Sequence, residues 1–149
     1  MKNKLIVGVL FLVTGLIIGN NIYNKIDFAL LSTFNENDEY YLIQQGIYND
    51  KESMQKETRD INPKVYEFKD DKYYVYVGIT GNKDNYDKIK NIYDSKGIKV
   101  NLRKIKINDD EFKNNINQLD ILIENTNVTE EIFTIEEVIL SSFNKKVLE

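Results

Sequence analysis

The residue types in this chain that could do chemistry are tyrosine, the amides, the carboxylates and a few cations, because its 149 residues contain neither histidine nor cysteine. That removes the commonest general base, the commonest metal ligand and the thiolate nucleophile together. The serines have no imidazole to activate them. No catalytic set, cofactor site or metal site is therefore expected. What remains suits recognition. A tyrosine ring offers flat apolar area with a hydroxyl at its edge, which fits the C–H faces and hydroxyls of a pyranose. A glutamine side chain both donates and accepts hydrogen bonds.

The elements that must position these groups are legible from an internal repeat. YLIQQGIYNDKESMQK, starting at Tyr41, lies over YYVYVGITGNKDNYDK, starting at Tyr73, at a constant offset of 32 residues. Tyr41 matches Tyr73, Ile43 matches Val75, Gly46 matches Gly78 and Ile47 matches Ile79. Each copy reads as a strand rich in aromatic and β-branched residues, a glycine-marked turn and a helix. The second helix is the clearer, with Tyr86, Ile89, Ile92 and Tyr93 on one face and Gly97 as its stop signal. The first has only Met54, Thr58 and Ile61 at suitable spacing. A further strand follows each helix, Lys64 to Phe68 and Ile98 to Ile105, and Lys69-Asp70-Asp71-Lys72 is short enough for a hairpin. The order β-α-β-β-α-β predicts an α+β, ferredoxin-like domain: a four-stranded antiparallel sheet with the first and third strands central and both helices on one face.

Strict alternation along the strands assigns the faces. Tyr41, Ile43, Gln45 and Ile47 with Tyr73, Val75, Val77 and Ile79 are expected to meet the helices. Leu42, Gln44, Gly46 and Tyr48 with Tyr74, Tyr76, Gly78 and Thr80 are expected on a face that has no cover inside the motif. On the last strand Lys99, Asn101 and Arg103 share one face, and Ile98, Val100 and Leu102 the other.

Two appendages flank this unit. From Leu5 to Asn24 there are 20 consecutive uncharged residues, long enough as a helix to reach roughly 30 Å, the hydrocarbon thickness of a bilayer. Lys2 and Lys4 precede the run and every acid follows it, so the positive-inside rule expects residues 1–24 to be a cytoplasmic tip and transmembrane helix, with the rest outside the cell membrane. The exit Gly19-Asn20-Asn21-Ile22 lacks a small-x-small cleavage pattern, which disfavours a cleaved signal. Residues 25–39 read as a connector, and 40–106 as the domain. Residues 107–149 read as a helical extension with two apolar stripes, Phe112, Ile116, Leu119 and Ile123, then Ile132, Ile135, Val138, Ile139 and Phe143. Each stripe must bury itself on the other helix, on the helical side of the sheet, across the open face or on a partner.

Weaker signals have simpler readings. Gly78-Ile79-Thr80-Gly81 is a strand-to-helix turn before it is a nucleic-acid clamp. Asp109-Asp110-Glu111 suits a helix start, and Asn127-Val128-Thr129 a helix-initiating turn. A net charge of −4 and the outward orientation disfavour a nucleic-acid partner, although aromatics on central strands of this topology can stack bases.

The two strand motifs, Tyr41-Leu42-Ile43-Gln44-Gln45-Gly46-Ile47-Tyr48 and Tyr73-Tyr74-Val75-Tyr76-Val77-Gly78-Ile79-Thr80, resemble those of the SPOR domains, the sporulation-related repeats of bacterial envelope proteins. The match runs from Tyr40 to about Lys106. Tyr74 and Tyr76 depart from it where arginines are frequent, as does Ile47 where serine is common. The resemblance implies a non-enzymatic domain binding peptidoglycan, particularly glycan strands stripped of their stem peptides at division or sporulation septa, with a prominent role for Gln44. The expected glycan-binding set is Leu42, Gln44, Tyr48, Tyr74, Tyr76, Asn101 and Arg103, in which a cation such as Arg103 would meet the lactyl carboxylate of muramic acid. The alternative is an envelope scaffold that binds another protein through its sheet or C-terminal helices and no sugar.

Overall fold

A computed structural model of the chain describes residues 39–147, with side chains to Phe143. The transmembrane and connector expectations for residues 1–38 lie outside the described residues. The elements are β1 (Glu39–Tyr48), α1 (Lys51–Glu57), β2 (Val65–Lys69), β3 (Lys72–Thr80), α2 (Lys83–Ser95), β4 (Asn101–Lys106), α3 (Asp110–Asn125) and α4 (Thr129–Val147). The strands form one antiparallel sheet in the order β2-β3-β1-β4, so the two repeated strands are central.

Local chemistry sets the boundaries. Lys69 pairs with Lys72, leaving Asp70 and Asp71 as a two-residue turn, both at positive φ (50° and 58°). That backbone matches the twist of the strands it joins, and aspartate tolerates it better than most residues. Asp50 caps α1 by accepting the Ser53 N–H at 2.8 Å, and Asn82 caps α2 by accepting that of Asp84 at 2.8 Å. α2 ends where Gly97 takes φ +72°. The Gly97 N–H bonds the Asp94 carbonyl at 2.9 Å and the Ile98 N–H the Tyr93 carbonyl at 3.0 Å, satisfying carbonyls the helix leaves unpaired. Asp109 starts α3 by accepting the Phe112 N–H at 2.7 Å.

The pairing of β1 with β3 departs from strict alternation. Its register shifts between Ile43 and Gln44 and again between Gln44 and Gly46, so that Val77 and Gln45 have no opposite residue. Each bulge transfers the next residue to the other face. Ile79 therefore stands opposite Leu42, not beside Val77 on the helical face, and Ile47 stands opposite Tyr74. Tyr48 pairs with Tyr73 and leaves the face of Tyr74. Gly46, Gly78 and Thr80, expected on the uncovered face, instead pair with Val75, Ile43 and Tyr41 of the helical face. These six residues correct the assignment made by alternation, which has no means of counting an inserted residue.

Apolar residues pack on both faces of the sheet. On the first, Ile43 and Val77 meet Tyr86, Ile89 and Tyr93 of α2, with Ile61 and Val100 at the margins. On the second, Tyr40, Leu42, Tyr76 and Ile79 meet Phe112 and Ile116 of α3 and Ile139 and Leu140 of α4. The α3–α4 hairpin also reaches the first face, where Ile123 and Ile132 join the cluster and Phe133 stacks on Tyr93 at 5.3 Å between ring centroids. The two helices thus reach both faces past the part of β3 that β2 leaves unpaired, since β2 pairs with β3 only as far as Tyr76. No helix among the described residues is long and apolar enough to cross a membrane.

Candidate binding surface

On the second face, three rows of paired residues cross the centre of the sheet. Gln44 lies between Tyr76 and Asn101, Leu42 between Ile79 and Arg103, and Ile47 against Tyr74. The expected set is therefore brought together in register, apart from Tyr48. Its exposure, however, is uneven. Tyr76 keeps 1% of its surface and Leu42 3%, because the tail hairpin covers them. The Phe143 ring meets Tyr76 edge-on at 6.1 Å and stacks beside Phe112 at 6.2 Å. The face expected to be open is closed at its centre. The amphipathic stripes of residues 107–149 are what close it.

The uncovered part is the fringe. Asn101 and Arg103 are exposed, and Gln44 and Tyr74 are half-buried. The Tyr76 hydroxyl connects the buried centre to this fringe by donating to Glu67 Oε2 at 3.1 Å and accepting from Arg103 Nη1 at 3.3 Å. Burial, with the Glu67 carboxylate nearby, pushes this phenol up to about 12, so it stays protonated and acts as a donor. Tyr48 lies on the first face, where its ring covers Gly46 and its hydroxyl donates to Gln45 Oε1 at 2.8 Å. Near it, Phe68 and Tyr66 pack against Tyr73 at 4.7 and 5.9 Å between centroids, forming an exposed aromatic cluster that alternation did not single out.

Two buried acids escaped the sequence reading. Glu136 of α4 is wholly buried and accepts the Ile79 N–H at 2.9 Å, while its Oε1 and the nearby Tyr93 hydroxyl have no hydrogen-bond partner among the described residues. Asp120 of α3 accepts the Gly81 N–H at 2.7 Å, the Thr80 hydroxyl and the Asn85 amide at 3.0 Å. Burial raises Glu136 well above the ordinary carboxylate range, and raises Asp120 to about 6 against the hydrogen bonds that pull it down. A signal for both was present. Asp120 sits between Ile116 and Ile123, and Glu136 between Ile132 and Ile139, each acid four residues after one isoleucine and three before the next. That spacing places a carboxylate inside the apolar stripe of each helix. Such an acid must find a donor, and the donors are the N–H groups at the end of β3.

These acids are structural acceptors rather than a reactive pair on a surface. Among the described residues no three metal-capable side chains converge. A groove between α3 and α4, lined by Phe112, Leu119, Val138 and Ser142 among others, contains no titratable group. The surface groups available to a ligand are an amide pair, a guanidinium and aromatic rings. No protein-family model, curated protein or solved structure matches the chain.

Proposed function

We propose that the chain is a non-enzymatic bacterial envelope protein, anchored by residues 5–24 with its domain outside the membrane, that binds peptidoglycan glycan strands and so localises to division or sporulation septa. The element order β-α-β-β-α-β and the strand order β2-β3-β1-β4 support a ferredoxin-like, SPOR-like reading of residues 40–106. The observation that carries the function is the fringe of the second sheet face, where Gln44 and Asn101 are paired neighbours and Arg103 lies two residue pairs along, on the same face. Two amides and a guanidinium side by side can bond the hydroxyls, acetamido groups and carboxylate of an amino sugar, with Tyr74 beside them for ring contact. Leu42 and Tyr76 support this fringe from below and do not touch the ligand. The test is a pull-down of the purified chain with sacculi before and after amidase treatment. Stripped sacculi should retain it, and the Gln44→Ala/Asn101→Ala pair should weaken retention about tenfold. Equal retention of the variant would remove the fringe from the site.

A second reading, the envelope scaffold that binds protein and no sugar, is favoured by a different observation. The tail occupies the centre of the sheet, while Tyr66 and Phe68 on the other face remain 42% and 56% exposed. Exposed aromatic clusters of this kind often anchor protein interfaces. Absence of the chain from both sacculus preparations would favour the scaffold.

A further inference from the structure

Between Ser95 and Asn108 the chain carries Lys96, Lys99, Arg103, Lys104 and Lys106 and no acid, although its net charge is −4. All five cations are exposed, and β4 is a terminal strand of the sheet, so its outer edge is unpaired among the described residues. Some of this charge is already used. Lys104 bonds Glu39 at 2.7 Å and holds that carboxylate below its usual range, with Lys106 adding to the effect. Lys96 lies 4.4 Å from the centre of the Phe133 ring. Among the described residues Lys99 forms no ion pair, and Arg103 bonds the neutral Tyr76 hydroxyl.

We infer that the edge of β4 is a docking strip for a linear polyanion, namely a glycan strand carrying free carboxylates. Charge complementarity supplies the first argument: a basic edge on an acidic protein attracts anions and repels little of what approaches it. Shape supplies the second. From Lys99 to Lys106 an extended chain covers about 23 Å, with Lys99 and Arg103 on one side of the strand and Lys104 and Lys106 on the other. A thread laid along the edge meets them in turn, whereas a flat lipid surface would meet one side. Continuity supplies the third, since Asn101 of the strip is the residue paired with Gln44. The source of the polymer rests on the glycan reading above; its charge rests on the strip alone. Lysines on an edge strand also discourage strand-to-strand aggregation, a role that requires no ligand and that the following comparison separates.

The experiment uses the full chain and the Lys99→Gln/Lys106→Gln variant, which leaves the fringe residues Gln44, Asn101 and Arg103 in place, with circular dichroism confirming that these exposed changes leave the fold intact. The probes are amidase-stripped sacculi, the same sacculi with carboxylates converted to methylamides, alginate beads, and phosphatidylglycerol vesicles. Stripped sacculi and alginate should both bind, about tenfold or more weakly with the variant and progressively less with added salt. Methylamide sacculi should bind as weakly as the variant does. Sacculus binding that ignores both the variant and the methylamides would overturn the strip and leave the glycan reading standing. Charge-dependent binding to alginate without sacculus binding would do the reverse. No binding to either polymer, with or without vesicle binding, would overturn both.

Discussion

The two copies of the repeat share a sequence pattern and differ in what surrounds them. In the first, β1 leads into a seven-residue helix, and Ile47 at the strand end is 50% exposed. In the second, β3 leads into a thirteen-residue helix, and the equivalent Ile79 is fully buried. Gly46 is covered by the ring of Tyr48, a near neighbour in its own copy, whereas Gly78 is covered by Ile43 and by Glu136 from the tail. The tail accounts for the contrast. β2 stops short along β3, leaving N–H groups at the strand end without ladder partners, and α3 and α4 supply Asp120 and Glu136 to accept them. A duplicated segment thus acquires one copy that completes the core and one whose end stays open. The proposed fringe is found beside the open one.

The largest expected break in this comparison is at the matched isoleucines. Ile79→Ala should cost about 3 kcal/mol, the value for truncating a packed core side chain, while Ile47→Ala should stay within about 0.5 kcal/mol. Urea unfolding of the two variants measures the difference, and equal losses would show that the two strand ends are equally packed.

The buried acids give the second copy a pH dependence opposite in sign to that of the exposed Asp50 cap in the first, whose carboxylate the Ser53 hydrogen bonds hold below its ordinary value. Asp120 has an ordinary value of 3.8 and titrates near 6 in the folded chain; Glu136 is raised further above its own 4.5. For a raised carboxyl the folded state holds its proton more tightly than the unfolded chain. The stability so contributed is complete below the unfolded value and is lost as pH rises through the folded one. Stability should therefore fall by on the order of 2 kcal/mol from about pH 4 upward. Glu136→Gln keeps an acceptor for Ile79 without the charge and should flatten the slope. Denaturation midpoints across that range decide the matter, and an unchanged slope would remove Glu136 as a contributor.

The matched glycines sharpen the contrast at smaller scale. A Cβ at Gly78 would come within 3.0 Å of both Ile43 and the Glu136 carboxylate, neither of which has room to retreat. At Gly46 it would meet the Tyr48 ring at 2.9 Å, but that ring is half-exposed and can swing outward. Gly78→Ala should cost about 1–2 kcal/mol and Gly46→Ala less than about 1 kcal/mol, by thermal unfolding of each.

Much of this architecture is legible in the residues because its causes are local. Strand composition, the Asp70-Asp71 turn, the stripe of α2 and the stop at Gly97 each depend on a few neighbouring side chains. The α3 and α4 helices are legible from their stripes, but their destination is not, since amphipathicity requires burial without naming the surface. The burial of Tyr76 follows from that destination. The bulges at Gln45 and Val77 are invisible for a different reason: a single unpaired residue changes which way Ile47, Tyr48 and Ile79 point while leaving composition and spacing untouched. Alternation put Asn101 and Arg103 on one side of their strand without saying which face of the sheet that is. The unbulged pairing of β1 with β4, Gln44 with Asn101 and Leu42 with Arg103, supplies the face.

The smallest expected effect separates the two copies by how their lysines are used. Lys64, which follows α1, donates to the carbonyls of Thr58 at 2.6 Å and Ile61 at 2.8 Å, closing the chain just after its own short helix. Lys88 of α2 instead donates to the carbonyls of Ile123 at 2.7 Å and Thr126 at 3.0 Å, at the far end of α3. A cation there meets the negative end of the helix dipole as well as unpaired carbonyls. Each alanine variant should lose about 1 kcal/mol, but the location of the loss should differ. Lys88→Ala should raise amide exchange through the α3–α4 hairpin and at Ile79, whereas Lys64→Ala should raise it only around α1 and the approach to β2. Exchange that spreads alike from both would mean that the tail is no more coupled to one copy than to the other.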